Sequence, residues 1–254
     1  MPLDRPLIAI RERSQVDLFD LALVLIRRRP APILWATVGG VTPFVLLNAW
    51  LFRIGGERLA GLGLVLWWLE APLALAPLTL VLGRMMFGQV PSSRQVLGRV
   101  LRSAGVLVGT HGILRFVPIF WLPPRLLFAN EILLLEQGGW VNLWKRGGSL
   151  IIGREGELFF LDLVQILANG IMALTAYVGI GRLLQAVVAE PMTWDLGTSP
   201  APTSLAFQVP LWAGAAFFTV VRFLTYIDQR IRLEGWEIEL RLRAAGEAFA
   251  EARR

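Results

Sequence analysis

The sequence predicts an all-α integral membrane protein: a bundle of about six transmembrane helices, one of them short or re-entrant, with cytoplasmic amphipathic helices. Three observations support this prediction. Of the 254 residues, 55% are hydrophobic, and the mean hydropathy is +0.59. Several apolar runs reach about 20 residues, which is the length of helix that crosses a bilayer. Arginines separate these runs, so positive-inside anchoring explains the formal charge of +6 better than a nucleic-acid surface does.

Residues 1–30 are predicted to carry a helix that lies in the cytoplasmic interface. Ser14 and Asp17 have the spacing of a capping box, which marks the start of a helix. Three consecutive arginines suit the negative end of that helix, and Pro30 stops it. We therefore expect an N-terminal interfacial helix before the first span.

The first two predicted spans cover residues 31–52 and 60–83. The second contains Pro72 and Pro77, which lack the backbone N–H that a helix interior needs. We therefore expect this helix to be broken, with its freed backbone groups enclosed by other helices. Glu70 lies two residues before the first proline.

The rest of the bundle is predicted from shorter or more interrupted runs. A third span covers residues 103–122, and two further spans cover 158–188 and 207–226. Residues 124–137 are too short for a comfortable crossing, so they either cross a thinned region of the bilayer or return as a re-entrant element. Residues 138–157 are interpreted as a second cytoplasmic interfacial helix. With the short piece counted as a crossing, both termini lie in the cytoplasm, and the preference for arginine over lysine suggests a bacterial inner membrane.

Residues 227–254 are predicted to form a cytoplasmic amphipathic helix after the bundle, which occupies residues 31–226. Apolar and charged residues alternate here with the period of a strand, but glutamate, leucine, arginine and alanine are helix formers. On a helix the apolar residues form two stripes on nearly opposite sides. One stripe can contact the bundle and the other a partner; alternatively, both contact the chain's own interfacial helices. The candidate partner-binding residues are Trp236, Ile238, Leu240, Leu242 and Phe249.

The composition excludes several classes of function. The chain has no cysteine, which excludes disulfides and thiol nucleophiles, and its single histidine excludes two-histidine zinc motifs. The sequence contains no P-loop or dinucleotide motif, and no spacing typical of an intramembrane hydrolase. We therefore expect no enzymatic activity, no cofactor and no metal.

Ionisable and polar residues in or beside the predicted spans form a candidate intramembrane network, because each charge costs at least about 2.5 kcal/mol to insert and so needs a partner or a purpose. Depth in the membrane predicts that Arg115 faces Glu131 across a proline turn. It also matches Asp162 with Arg222. The network consists of Glu70, His111, Arg115, Glu131, Asp162 and Arg222.

Two members of this network have alternative interpretations. Glu70 at a broken helix suits ion or proton coordination in a transporter, but the favoured interpretation is structural, with Glu70 capping freed amides or pairing with Arg115. His111 is interpreted as a hydrogen bonder between helices, with a proton relay as the alternative.

Three stretches resemble a group of bacterial multi-pass membrane proteins of unassigned role. They are FANEILLLEQGGWVNLWKRGGSL, PLTLVLGRMMFG and YIDQRIRLEGWEIELRLRA. More distantly, Glu136 followed by Lys145, Arg146 and Ser149 resembles the membrane domain fused to some glycerophosphodiester phosphodiesterases. The soluble catalytic domain of those enzymes has no counterpart in this sequence, so the resemblance implies a helical membrane module without hydrolase activity or active-site residues.

Two hypotheses about function follow. In the first, the protein is a non-enzymatic inner-membrane component that organises or anchors partners through its cytoplasmic helices. Its partners would be membrane lipid and a membrane or cytoplasmic protein, or a second copy of the chain. In the second, it is a small transporter or channel in which Glu70, Arg115 and Glu131 line the path.

Overall fold

The computed structural model describes five stretches of the chain, and every regular element in them is a helix. The described residues are 14–60, 62–113, 123–136, 139–188 and 204–234. The helices are α1 (Gln15–Arg28), α2 (Pro30–Ala60), α3 (Gly63–Ala74), α4 (Ala76–Met86), α5 (Ser93–Val108), a π-helical turn (Gly109–Ile113), α6 (Pro123–Leu126), α7 (Ala129–Leu135), α8 (Trp140–Ile151), α9 (Glu155–Val188) and α10 (Leu205–Glu234).

Four helical stretches are long and apolar enough to cross a membrane. They are Pro30–Gly55, Gly63–Met86, Glu155–Leu183 and Ala206–Leu233, identified by length and composition within the described residues. The predicted all-helical membrane fold is confirmed to this extent. The predicted span over 103–122 lies partly outside the described residues.

Helix α1 begins with the predicted capping box. The Asp17 backbone N–H donates to Ser14 Oγ, and the Ser14 backbone N–H donates to the Asp17 carboxylate, each at 3.2 Å. Because these bonds satisfy amides that have no partner within the helix, they fix its first turn. Leu18, Ala22 and Leu25 are buried, and Phe19 packs on aromatic rings of α10. Helix α1 is therefore packed against the bundle.

The second span is broken, as its prolines predict. Helix α3 ends at Ala74, Leu75 is non-helical at φ −98° and ψ 4°, and α4 begins at Ala76. Pro77 lies in the first turn of α4, where a missing N–H has no cost. On one side the break is covered by Gly40 of α2, where a Cβ would overlap the Ala74 carbonyl oxygen. Only a residue without a side chain permits so close an approach of the two backbones.

Helix α7 lies at the centre of the molecule, against α4, α5 and α8. It has seven residues, about 10 Å at 1.5 Å per residue, and is too short to span a bilayer alone. Six of the seven are buried. Residues 124–137 were predicted either to cross a thinned region of the bilayer or to form a re-entrant element. In both cases their irregular backbone must be enclosed by protein, and the burial of α7 meets that condition.

Helix ends on the same face of the bundle constrain the topology. Arg154, just before α9, lies 3.8 Å from Asp228 near the end of α10. Arg84 near the end of α4 and Arg230 near the end of α10 line one cavity. Because α4 ends and α9 begins at this face, the chain between them would make an even number of crossings of any membrane that both helices span. The six predicted spans are compatible with this constraint, since two of them fall in that interval.

Helix α8 is amphipathic and lies at this same face. Leu143 and Leu150 are buried on its inner side, whereas Trp140, Val141 and Trp144 are exposed. Exposed tryptophans on a short helix beside a membrane bundle are typical of a helix that lies in the interface plane.

Candidate functional site

Glu70 is buried against α2 rather than paired with a cation in the described residues. The Asn48 amide Nδ2 donates to Glu70 Oε2 at 2.7 Å, and both residues are buried. The predicted partner Arg115 lies outside the described residues. The sequence does contain a signal for the contact between Asn48 and Glu70. Asn48 is a single asparagine in an apolar span, and such a residue also needs a hydrogen-bond partner.

Asn130 connects His111 to the broken helix. Its amide Nδ2 donates to the Pro72 carbonyl at 2.7 Å, and its Oδ1 lies 2.8 Å from His111 Nε2. Because the amide nitrogen faces Pro72, the amide oxygen faces the ring, so Nε2 carries the proton and donates it. His111 therefore joins two helices by a hydrogen bond, in the arrangement that the favoured interpretation of this residue predicts.

Glu131 pairs with Arg222 of α10. Arg222 Nε lies 3.1 Å from Glu131 Oε1, and the Glu131 side chain is 0% exposed. Within the described residues, the partner of Glu131 is therefore a residue 91 positions later. The predicted pairing with Arg115 lies outside the described residues and stays a prediction.

Asp162 and Arg222 line the same small cavity. They therefore lie at a similar level of the bundle, as was predicted from their depth in the membrane. This cavity has a volume of about 70 Å³ and lies between α3, α9 and α10. Gln165 and Asn169, which share a face of α9 with Asp162, also line it and are buried. It has room for about two water molecules.

The residues that carry the more distant resemblance contact one another. Arg146 forms two hydrogen bonds with the Glu136 carboxylate, at 2.8 and 3.0 Å. The Tyr226 hydroxyl donates to Glu136 Oε1 at 2.7 Å, and Ser149 Oγ donates to the Arg146 carbonyl at 2.9 Å. This set of contacts fixes α8 and α10 to the end of α7. The motif therefore has a structural explanation that requires no catalysis.

The end of α10 is fixed by charge. Asp228 is only 2% exposed, and its Oδ2 lies 2.7 Å from Arg232 Nε and 3.8 Å from Arg154 Nη1. Arg154 also pairs with Glu157. A buried carboxylate held by two arginines joins the last turns of α10 to the start of α9.

A cavity with a volume of about 530 Å³ lies between α4, α5, α7 and α10. Four arginines line it, and none of its described lining residues is acidic; the arginines are Arg84, Arg99, Arg102 and Arg230. From the sequence, these arginines were predicted only to orient the protein in the membrane. Their convergence was not predictable, because the four come from three helices.

The remaining predicted site residues lie outside the described part of the chain. These are Arg115 and the candidate partner-binding residues Trp236, Ile238, Leu240, Leu242 and Phe249. In the described residues, no group of three or more histidine, aspartate or glutamate side chains is arranged to hold a metal ion. No family model, no curated protein and no solved structure matches this chain.

Proposed function

We propose that the protein is a non-enzymatic membrane component that anchors a partner protein at the cytoplasmic face of a bacterial inner membrane, through the amphipathic segment 228–254. The observation that carries this proposal is the fixed end of α10. A segment can hold a partner at a defined place on the membrane only if the residues from which it extends are themselves fixed.

The last turns of α10 provide such a point. Asp228 is held by Arg154 and Arg232, Tyr226 is hydrogen bonded to Glu136, and Ile231 is buried. The segment that follows has two apolar stripes in its sequence, whereas contact with the bundle needs only one. We assign the other stripe to a partner, either another protein or a second copy of this chain.

The proposal includes six crossings, with both termini in the cytoplasm. Residues 103–122 and 124–137 supply the two crossings beyond the four candidate spans. This count agrees with the even number of crossings between α4 and α9. The arginine-rich face at the ends of α4 and α10 agrees with a cytoplasmic orientation under the positive-inside rule.

The transport hypothesis has less support from the described contacts. Glu70 and Glu131 each have a partner on a different helix, Asn48 and Arg222. Neither glutamate lines the cavity of about 530 Å³ or that of about 70 Å³. Neither of these two cavities between described residues therefore offers a proton or ion path through both glutamates.

Deleting residues 235–254 tests the anchoring role. The protein is purified from its own membrane in mild detergent, and native mass spectrometry measures the mass of the complex. We expect a partner in fixed ratio with the full chain and its loss from the truncated chain, with insertion unchanged because the fixed end of α10 remains.

Two stripe variants serve as matched controls for each other. One replaces Ile238, Leu242 and Phe249 with serine, and the other replaces Trp236 and Leu240. One of the two should lose the partner while the other retains it, because the stripes lie on opposite sides of the predicted helix. Unchanged partner recovery after truncation contradicts the proposal.

A further inference from the structure

We propose that the arginine-lined cavity binds a phosphate ester anion, and that the head group of an anionic phospholipid is its source. This inference goes beyond the anchoring role and does not depend on it. It rests on the charge, the lining and the position of the cavity.

Three of the four arginines that line the cavity have no acidic partner among the described residues. Arg84 Nη1 donates to Gln89 Oε1, and Arg99 Nη2 donates to the Leu134 carbonyl, each at 3.4 Å. Both acceptors are neutral and both bonds are long. Across the part of the chain that the structure describes, no carboxylate forms an ion pair with Arg84, Arg99 or Arg102. An anion in the cavity would relieve the repulsion between these cations.

The arginines are arranged to converge on one ligand. Arg99 and Arg102 are one turn apart on α5 and so share a face. Arg230 extends from α10, where its guanidinium lies 5.8 Å from the centre of the Tyr226 ring. Guanidinium groups bind phosphate through paired N–H donors, which makes arginine the preferred residue for this anion.

Most of the remaining lining residues are apolar, with Gln95 and Tyr226 as the polar exceptions, and this mixture suits an amphiphile. Leu80, Met86, Val96, Leu135 and Phe223 line the same cavity as the arginines. A volume of about 530 Å³ falls in the range of small-molecule sites. A free phosphate would use the arginines alone, whereas a phospholipid would use both parts of the lining.

The position of the cavity favours a lipid. Met86 is the last residue of a candidate span, and Arg84 lies two residues before it. The cavity therefore lies at the depth where lipid phosphates meet the ends of spans. Basic pockets between transmembrane helices at this depth bind acidic head groups.

Binding is tested on the full-length, delipidated protein in neutral detergent. The probes are dihexanoyl phosphatidylglycerol, dihexanoyl phosphatidylcholine and glycerol 3-phosphate, and the readouts are the unfolding temperature and the ligand mass retained in native mass spectrometry. We expect saturable binding of the phosphatidylglycerol and none of the phosphatidylcholine. Saturable binding of glycerol 3-phosphate with equal affinity would support the phosphate site but assign it to a free phosphate ester.

Variants locate the site. Arg102→Gln and Arg84→Gln should each weaken phosphatidylglycerol binding about tenfold, the effect of losing one charge-assisted hydrogen bond. Both side chains are exposed at the mouth of the cavity, so the fold should be retained. The matched control is Arg94→Gln, which removes an exposed arginine of α5 that does not line the cavity, and we expect unchanged binding.

Two results would overturn the proposal. Equal binding of the two phospholipids would mean that the site does not select an anionic lipid, because both carry a phosphodiester and only phosphatidylcholine also carries a cation. An equal loss of affinity in Arg94→Gln and Arg102→Gln would mean that the net charge of the surface, rather than this cavity, attracts the lipid.

Discussion

Replacing Arg222 with methionine lowers the free energy of unfolding by about 3 to 5 kcal/mol, the expected effect of leaving a buried charge without its partner. Glu131 is fully buried, and Arg222 Nε lies 3.1 Å from its carboxylate. Among the described ion pairs, no second cation contacts Glu131. The measurement is the unfolding of the purified protein in one fixed detergent, followed by helical circular dichroism.

A double variant separates the cost of the unpaired charge from the value of the pair. Glu131→Leu combined with Arg222→Met removes both charges and leaves apolar side chains of similar size, so stability should return close to that of the wild type. Arg182→Met, at an exposed position of α9, controls for the loss of an arginine in general. If the double variant is as unstable as Arg222→Met alone, the buried charge is not the cause of the loss.

Gly40→Ala should lower the free energy of unfolding by about 1 to 3 kcal/mol, the range for forcing atoms into a packed interior. A Cβ at this position would overlap the Ala74 carbonyl oxygen, which is backbone and has no rotamer through which to move away. Helix α2 would have to move from the break between α3 and α4.

The preceding residue provides the matched control. Gly39 lies on the same helix, and a Cβ there has nothing within 4 Å. Gly39→Ala should therefore leave stability unchanged or raise it by up to about 1 kcal/mol, because alanine is the better helix former. Both variants are compared by thermal unfolding in the same detergent. Equal shifts for the two glycines would show that the close approach at Gly40 does not limit packing.

Local features of this fold were predictable from the sequence. The capping box at Ser14 and Asp17 and the break between Pro72 and Pro77 depend on residues a few positions apart, so short-range backbone chemistry determines them. The apolar length of each span depends only on composition. For the same reason, the stretches found as candidate spans overlap four of those that hydropathy predicted.

The partners of buried polar residues were not predictable, because they depend on which helices become neighbours. Glu131 contacts a residue 91 positions away, and Asn130 donates to a carbonyl 58 positions away. Depth in the membrane gives the level of each residue but not its direction around the helix. The arginine-lined cavity was missed for a related reason, since its charges belong to three helices and converge only after packing.

The contact of Asn130 with the Pro72 carbonyl has a consequence for biosynthesis. The ribosome makes the broken helix first and Asn130 58 residues later, which at about 5 to 20 residues per second is a delay of about 3 to 12 s. During that interval α7 has not yet been made. The Pro72 carbonyl of the nascent protein therefore lacks its hydrogen bond from Asn130. Glu131 is made directly after Asn130, and its partner Arg222 in α10 follows 91 residues later. In the order of translation, the pairing of Glu131 with Arg222 is therefore completed only after α10 has been made.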